Sequence, residues 1–360
     1  MANKKSEKDE TKSEESTTAN VKKEPQEKKS FIQAYQEKIS TVANSEDLTS
    51  IIFEILWDKD RNFDKEIVPA TKETIKKYFE LEFSGAENGD LLSNYWIVFL
   101  WTNQSINPYH LDAIYRSVYR HNVDHTNGHV GKKDVLAVLQ SPGGSIVPAY
   151  KISKLCKELS KSKFAVAIPR SAKSAATLIS LGADEIHMGY LSELGPIDPQ
   201  ISGWPALGVQ DAFRKIALIV KDIPESKDLF ESYIKSIPLP SFGWLTRVPE
   251  SAVQYGQKLL IMGSMKGQVD AAGKIAHKLV HEYKDHSFVI DREEAKEIFG
   301  KDELIKEHSK EIESSERFYE QISRLEMVLS VLWSSDDSKI KIEIVGDIDN
   351  GISIVDRKED

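Results

Sequence analysis

The rhythm of apolar residues changes along this chain. From Phe31 to Phe83 they recur three and four apart. Phe31, Ile32, Tyr35 and Ile39 share one helical face, Leu48, Ile51, Ile52 and Ile55 another, and Ile75, Tyr78, Phe79 and Leu81 a third between Thr71 and Phe83. Gly85, Asn88 and Gly89 break the pattern. From about residue 90, short apolar runs alternate with amphipathic stretches. Tyr95–Trp101, Val135–Leu139, Phe164–Ile168 and Glu185–Met188 predict buried strands. Between them, Asn107-Pro108 opens a helix through Leu111, Ile114, Tyr115 and Val118, Pro148–Leu159 forms another, and a third begins at Ser174. Residues 122–133 are polar and rich in His, Asn and Gly, which predicts a loop. Strands separated by helices imply right-handed crossovers and a mainly parallel sheet.

Further on, Val209, Phe213, Ile216, Ala217 and Val220 predict a helix over 209–222, and others follow over about 250–265 and Ala271–Tyr283. Asp291-Arg292-Glu293-Glu294 has the form of a capping-box start for a short helix ending at Gly300. A charged helix over about 304–333 leads into a hairpin, where Lys339–Val345 alternates and Ile352–Val355 answers it across Asp349-Asn350-Gly351. The expected organisation is a charged tail (1–30), a helical segment (31–89), an α/β domain (90–300), a charged helix (301–335) and a C-terminal β-hairpin and tail (336–360).

Composition narrows the classes. A 360-residue chain that is 40% hydrophobic can bury a substantial core. Its net charge of −9 argues against nucleic acid as the main partner, because phosphate binding needs a basic surface. The lone cysteine, Cys156, excludes an intramolecular disulfide and any multi-cysteine metal site. Residues 1–30 are rich in Lys, Glu, Ser and Thr and lack the apolar stretch of a signal peptide. No apolar run is long enough to span a bilayer, so a cytoplasmic protein without a stable membrane span is expected.

Two motifs carry chemistry. In the first, Ser141-Pro142-Gly143-Gly144 follows an apolar strand. Pro142 stiffens the exit, and the glycines let the backbone turn so that N–H groups face a ligand. In the second, Ser174 opens an alanine-lined helix with Ala172, Ala175 and Ala176 around it, leaving space for a hydroxyl nucleophile. Taken singly, the first is a tight strand-to-helix turn and the second a helix cap. Together they supply what acyl chemistry needs, oxyanion donors beside a nucleophile. Ser171 in the approach and Ser180 in mid-helix are its rivals.

Three blocks carry a family resemblance. They are Ser141–Gly144 with Ala149–Ile152 and Leu155, then Ser174–Ile179 continuing through Gly182–Ile186 and Met188, and finally Leu194-Gly195-Pro196-Ile197-Asp198-Pro199-Gln200. With His286–Asp291 and Glu294-Ala295-Lys296 downstream, the chain over about 90–300 resembles the serine dehydrogenase proteinase family of the Clp-protease/crotonase fold superfamily. That resemblance implies a repeated ββα-type superhelix with a mainly parallel sheet, here carrying the helical N-terminal extension and the C-terminal helix and hairpin. It also implies a serine-type endopeptidase without cofactor or metal, acting on protein or peptide substrates as a homo-oligomer. Ser174 aligns with the nucleophile, and Gly143 or Gly144 with the N–H of Ala175 aligns with the oxyanion hole.

The resemblance leaves two bases open. Where the Clp proteolytic subunit has its histidine, this chain reads Gly195–Pro199. Sibling membrane-associated proteases use a lysine on a later helix, at a distance that falls near Lys215, which would need burial to depress its pKa. His286 lies in the matching downstream segment, and histidine is the side-chain type suited to general base work near neutrality, although Ser287 stands where relatives have aspartate. Other histidines read as structural: His187 is expected half-exposed on its strand, His277 and His281 on a helix surface, and His121, His125 and His129 in a loop. Two alternatives share the fold, a catalytically silent peptide-binding scaffold and a crotonase-type acyl-CoA enzyme. No Gly-x-Gly-x-x-Gly fingerprint follows a strand, so a dinucleotide enzyme is not indicated.

Overall fold

Strands covered by helices on both faces read as unbroken apolar runs, and alternate residues then serve two cores. A computed structural model shows that arrangement. It describes residues 29–84, 90–126, 130–201, 204–235, 238–300, 304–335 and 337–358; the Gly85–Gly89 break, His129 and most of the N-terminal tail lie outside them. In chain order the main elements are α1 (Phe31–Ser40), α2 (Ser45–Leu56), α3 (Val68–Ser84), β1 (Tyr95–Trp101), α4 (Pro108–Ser117), β2 (Asp134–Gln140) and α5 (Ile146–Glu158). Then come β3 (Phe164–Ile168), β4 (Ser171–Ala172), α6 (Ala175–Ser180), β5 (Glu185–Met188), β6 (Glu193–Leu194), α7 (Ala206–Asp222) and α8 (Lys227–Lys235). The chain continues through α9 (Leu239–Met262), α10 (Val269–His281), α11 (Arg292–Phe299), β7 (Ile305–Lys306), α12 (Lys310–Trp333), β8 (Ser338–Gly346) and β9 (Ile352–Lys358).

The described residues form a seven-stranded sheet in the order β7-β5-β3-β2-β1-β8-β9. Strands β1, β2, β3, β5 and β7 run parallel, and the C-terminal hairpin adds two antiparallel strands beside β1. On one face Val98, Leu100, Ala137, Leu139, Val166 and Ile168 pack with α5, α6, α9, α10 and α11. On the other, Ile97, Phe99, Leu136, Val138, Ala165 and Ala167 pack with α1–α3 and α12. Phe318 of α12 sits 5.4 Å from the Phe99 ring and 5.8 Å from Phe83, joining both helical extensions to β1. The fold is therefore mixed α/β with a mainly parallel sheet and helical extensions, as the resemblance implied.

Two elements differ from the sequence reading. The helix expected from 250 begins at Leu239 and runs through Pro249; the proline removes one N–H without ending the helix. The charged helix expected from 304 begins at Lys310, because Ile305 and Lys306 pair with Ile186 and His187 at the sheet edge and Ser309 caps the helix by accepting from Ile312 N–H.

Candidate active site

The loops leaving the C-terminal ends of β2, β3 and β5 converge, which is where open parallel sheets build their sites. Strand β2 exits into Ser141-Pro142-Gly143-Gly144. A parallel bridge joins Ser141 to Ala172: Ser141 N–H donates to Ser171 O at 3.0 Å and Lys173 N–H donates to Ser141 O at 3.0 Å. This lashes the glycine loop to the residues just before Ser174. On its other side the loop is held by Ile106, whose N–H donates to Gly143 O at 2.7 Å and whose carbonyl accepts from Ser145 N–H at 2.8 Å.

Both glycines are required by that closeness. Gly143 has φ of 101°, and a Cβ there would stand 2.6 Å from Lys173 O and 2.8 Å from Ser174 Cβ. At Gly144, φ is 147° and a Cβ would overlap the Ile106 backbone nitrogen. Gly143 N–H donates to Ser141 Oγ at 3.2 Å, whereas among the described residues no hydrogen bond takes the N–H of Gly144 or of Ala175. Ala175 opens α6, where helix geometry leaves N–H groups without intrahelical acceptors.

Ser174 joins β4 to α6 with φ of 50° and ψ of −113°, a conformation rare for any residue but glycine. It is 9% exposed, and its hydroxyl makes no hydrogen bond among the described residues. A serine held in a strained strand-to-helix turn is the form of a nucleophile elbow, in which a sharp turn presents Oγ to the cleft. Thr177 locks the start of α6: its hydroxyl lies 2.7 Å from the carbonyls of Ala172 and Gly195 and 3.1 Å from Gly195 N–H. The rivals are used elsewhere. Ser180 is fully buried and donates to Ala176 O at 3.2 Å, and Ser171 Oγ accepts from Gln140 Nε2 at 3.3 Å.

Ser174 opens onto a cleft of 920 Å³, whose walls include Gly143, Gly144, Lys151, Asp198 and His286. Leu111, Ile146, Val147, Val248 and Tyr255 supply apolar lining. Asp198 and His286 meet through a long-range pairing: Leu194 and Ile290 exchange two backbone hydrogen bonds at 2.9 and 3.1 Å. The downstream segment is thereby laid along Leu194–Gln200, and His286 Nδ1 stands 3.4 Å from Asp198 Oδ2. Burial pushes the Asp198 carboxyl above its ordinary range, while His286 pulls it back. No hydrogen bond links His286 to Ser174.

Lys215 is placed elsewhere. It lies exposed on α7, outside the cleft wall. Asp198 is the residue that sequence reasoning missed: it stood within the Leu194–Gln200 block, but its nearness to His286 depends on the Leu194–Ile290 bridge.

The remaining candidates are structural. His187 is 2% exposed rather than half-exposed, because β7 and α12 cover its strand and its Nδ1 lies 2.7 Å from Ser309 Oγ. His121 stacks on Trp96 at 5.4 Å and His125 meets the Tyr119 ring at 4.9 Å. His277 and His281 stack at 4.5 Å, with His281 Nε2 3.3 Å from Glu250. Among the described residues no group of three or more His, Cys, Asp or Glu could hold a metal ion. Cys156 is fully buried, and burial pushes its thiol up to about 12. Among the described residues no helix is long and apolar enough to cross a membrane.

The parallel sheet, the glycine loop and the serine turn define a ClpP-like α/β fold. Residues 130–227 match the family model described as ClpP-like SDH-type serine proteinase. Two uncharacterized proteins of Methanocaldococcus jannaschii are similar. One is 38% identical over 85 residues, which is 24% of this chain and 29% of the relative. The other is 36% identical over 83 residues, which is 23% of this chain and 29% of that relative. The chain thus spans less than a third of the length of the curated relatives it matches. Two solved forms of the 1510-N membrane-bound stomatin-specific protease, one in complex with a substrate peptide, are also similar. Each is 15% identical with a TM-score of 0.36, covering 59% of this chain and 79% or 75% of theirs.

Proposed function

We propose that this chain is a serine peptidase that hydrolyses peptide bonds through an acyl-enzyme on Ser174. The observation that carries the reading is the Ser174 turn, with φ of 50° and ψ of −113°, set against the two glycines on the wall of a cleft that also holds His286 and Asp198.

In this mechanism Ser174 Oγ attacks the scissile carbonyl carbon while His286 accepts the hydroxyl proton. The carbonyl oxygen, now negatively charged, is held by the free N–H groups of Gly144 and Ala175 beside the Gly143 turn. Collapse of the tetrahedral intermediate breaks the C–N bond, and the proton on His286 passes to the departing amine. Water then repeats the sequence on the ester, returning the proton to Ser174 and releasing the acid. Asp198, 3.4 Å from Nδ1, steadies the imidazolium. His286 serves better than Lys215 because it lines the same cleft as the serine, whereas Lys215 is exposed on α7. The resulting order, Ser174, Asp198, His286, is no obstacle, since triads are defined by geometry and not by sequence order. The apolar lining suits substrates with apolar side chains flanking the scissile bond.

The test is labelling by a fluorophosphonate probe together with casein cleavage. Ser174→Ala abolishes both on this reading. Equal labelling of the variant overturns it, and peptide binding without labelling of the wild type would make the cleft that of a binding scaffold.

A further inference from the structure

We propose that Lys173, the residue before Ser174, is a positioning residue that holds the His286 turn against the nucleophile; the inference rests on the peptidase reading above. Lys173 touches the glycine loop, the Glu193–Gly195 segment and the turn that carries His286. Its N–H donates to Ser141 O at 3.0 Å, fixing the glycine loop. Its side chain is 17% exposed and its Nζ lies 3.0 Å from Glu193 Oε1. From there Nζ donates to Phe288 O at 3.4 Å, two residues beyond His286.

The path for that side chain is built into the backbone. Gly195 leaves it open, since a Cβ there would stand 2.6 Å from Lys173 Cδ. Glu193, the ammonium's acidic partner, is itself fixed: its N–H donates to Arg170 O at 2.7 Å and its strand pairs with Ser171–Ala172. The lysine is thus strung between a rigid carboxylate and a carbonyl on the histidine turn.

That turn needs a second anchor. Ser287 N–H donates to Asp285 Oδ1 at 2.8 Å and Phe288 N–H to Asp285 O at 3.1 Å, so the turn is closed on itself. Outside it, Ile290 is bonded to Leu194, but residues 287–289 lie between that bridge and His286. The bond from Lys173 falls within this gap. A lysine that holds Phe288 therefore acts on the base while sitting next to the nucleophile. Charge and reach both matter: methionine fills the groove over Gly195 but donates nothing, whereas arginine keeps the donor.

The experiment follows fluorophosphonate labelling of the full chain from about pH 5 to about pH 10, where a histidine base gives a plateau above its pKa. The variants are Lys173→Met, Lys173→Arg, His286→Ala and the Lys173→Met/His286→Ala double. Lys173→Met is expected to slow labelling about ten- to hundredfold at neutral pH, the effect of misplacing a reacting group by roughly an ångström, and to erase the plateau. Lys173→Arg keeps the plateau. The double variant labels no more slowly than His286→Ala alone, because the lysine works through the histidine. An intact plateau in Lys173→Met, or losses that multiply in the double, overturns the proposal. If Lys173→Met does not fold, Glu193→Gln, which frees the ammonium from its anchor, is read the same way. A wild-type chain that does not label, or labels equally as Ser174→Ala, ends the peptidase reading and this one with it; failure of the Lys173 series alone leaves the peptidase reading standing.

Discussion

Replacing Gly143 by alanine perturbs the site through a single carbon. The added Cβ would lie 2.6 Å from Lys173 O, 2.8 Å from Ser174 Cβ and 3.0 Å from Ala175 N. Non-bonded carbon contacts are comfortable from about 3.5 Å, so the loop must recede by roughly 0.7 Å. The φ of 101° adds its own cost, about 1–3 kcal/mol for a residue with a side chain. Strain and overlap together are expected to lower global stability by about 2–4 kcal/mol. Activity suffers for a separate reason: the receding loop carries Gly144 N–H away from where the oxyanion forms. Loss of one such donor is worth about 10²–10³ in rate, so labelling should slow by about two orders of magnitude. The assay pairs probe-labelling rate with the urea unfolding midpoint. Gly243→Ala is the control, since a Cβ there meets nothing within 4 Å and helix α9 gains about 0.5–1 kcal/mol of propensity. A Gly143→Ala chain that labels at the wild-type rate with an unchanged midpoint refutes the reasoning.

The base assignment separates two variants. His286→Ala should slow labelling by about 10²–10⁴ while Lys215→Met leaves it unchanged, and the reverse pattern would return the proton transfer to Lys215. A pH dependence is written away from the cleft. His187, with the Lys163 ammonium 2.8 Å away, holds the Glu185 carboxyl down to about 2 from its ordinary 4.5. A depressed acid stabilises the fold above its unfolded pKa, and that contribution drains away as pH falls from about 4.5 towards about 2. Glu185→Gln should therefore lower the urea midpoint at neutral pH and flatten its fall across that window; an unaltered acid limb in the variant counts against it.

What could be read from the sequence was what the chain settles locally. The bounds of Tyr95–Trp101, Phe164–Ile168 and Glu185–Met188 coincide with the observed strands; for the first two, burial on both faces leaves an unbroken apolar run. Gly143, Gly144 and Ser174 were legible for a similar reason: a tight turn and a helix start are properties of a few consecutive residues. Asp198 was not, since its meeting with His286 is created by two hydrogen bonds between residues nearly a hundred positions apart in the chain. Nor was the burial of His187, which depends on β7 arriving from beyond residue 300 to close the sheet edge. Helix α9 extends well N-terminal of the apolar periodicity near 250, with Pro249 inside it, because a proline within a helix removes one N–H without necessarily ending it.

The same distinction bears on what the site needs in order to exist. The resemblance spans about 90–300, but the packed unit is larger. Ile97, Phe99, Leu136 and Val138 are buried under α1–α3 and α12, and Ile340, Ile342 and Ile344 of β8 belong to that same core. Strand β1 takes β2 on one edge and β8 on the other, and β2 is the strand whose exit becomes the glycine loop. The position of Gly143 against Ser174 has a tolerance of tenths of an ångström, as the 2.6 Å and 2.8 Å approaches show. Such a tolerance can be kept only by strands held from both faces. The helical extensions, which among the described residues contribute none to the cleft wall, therefore bear on the proposed chemistry by fixing the sheet from which Ser174 and the glycine loop are hung.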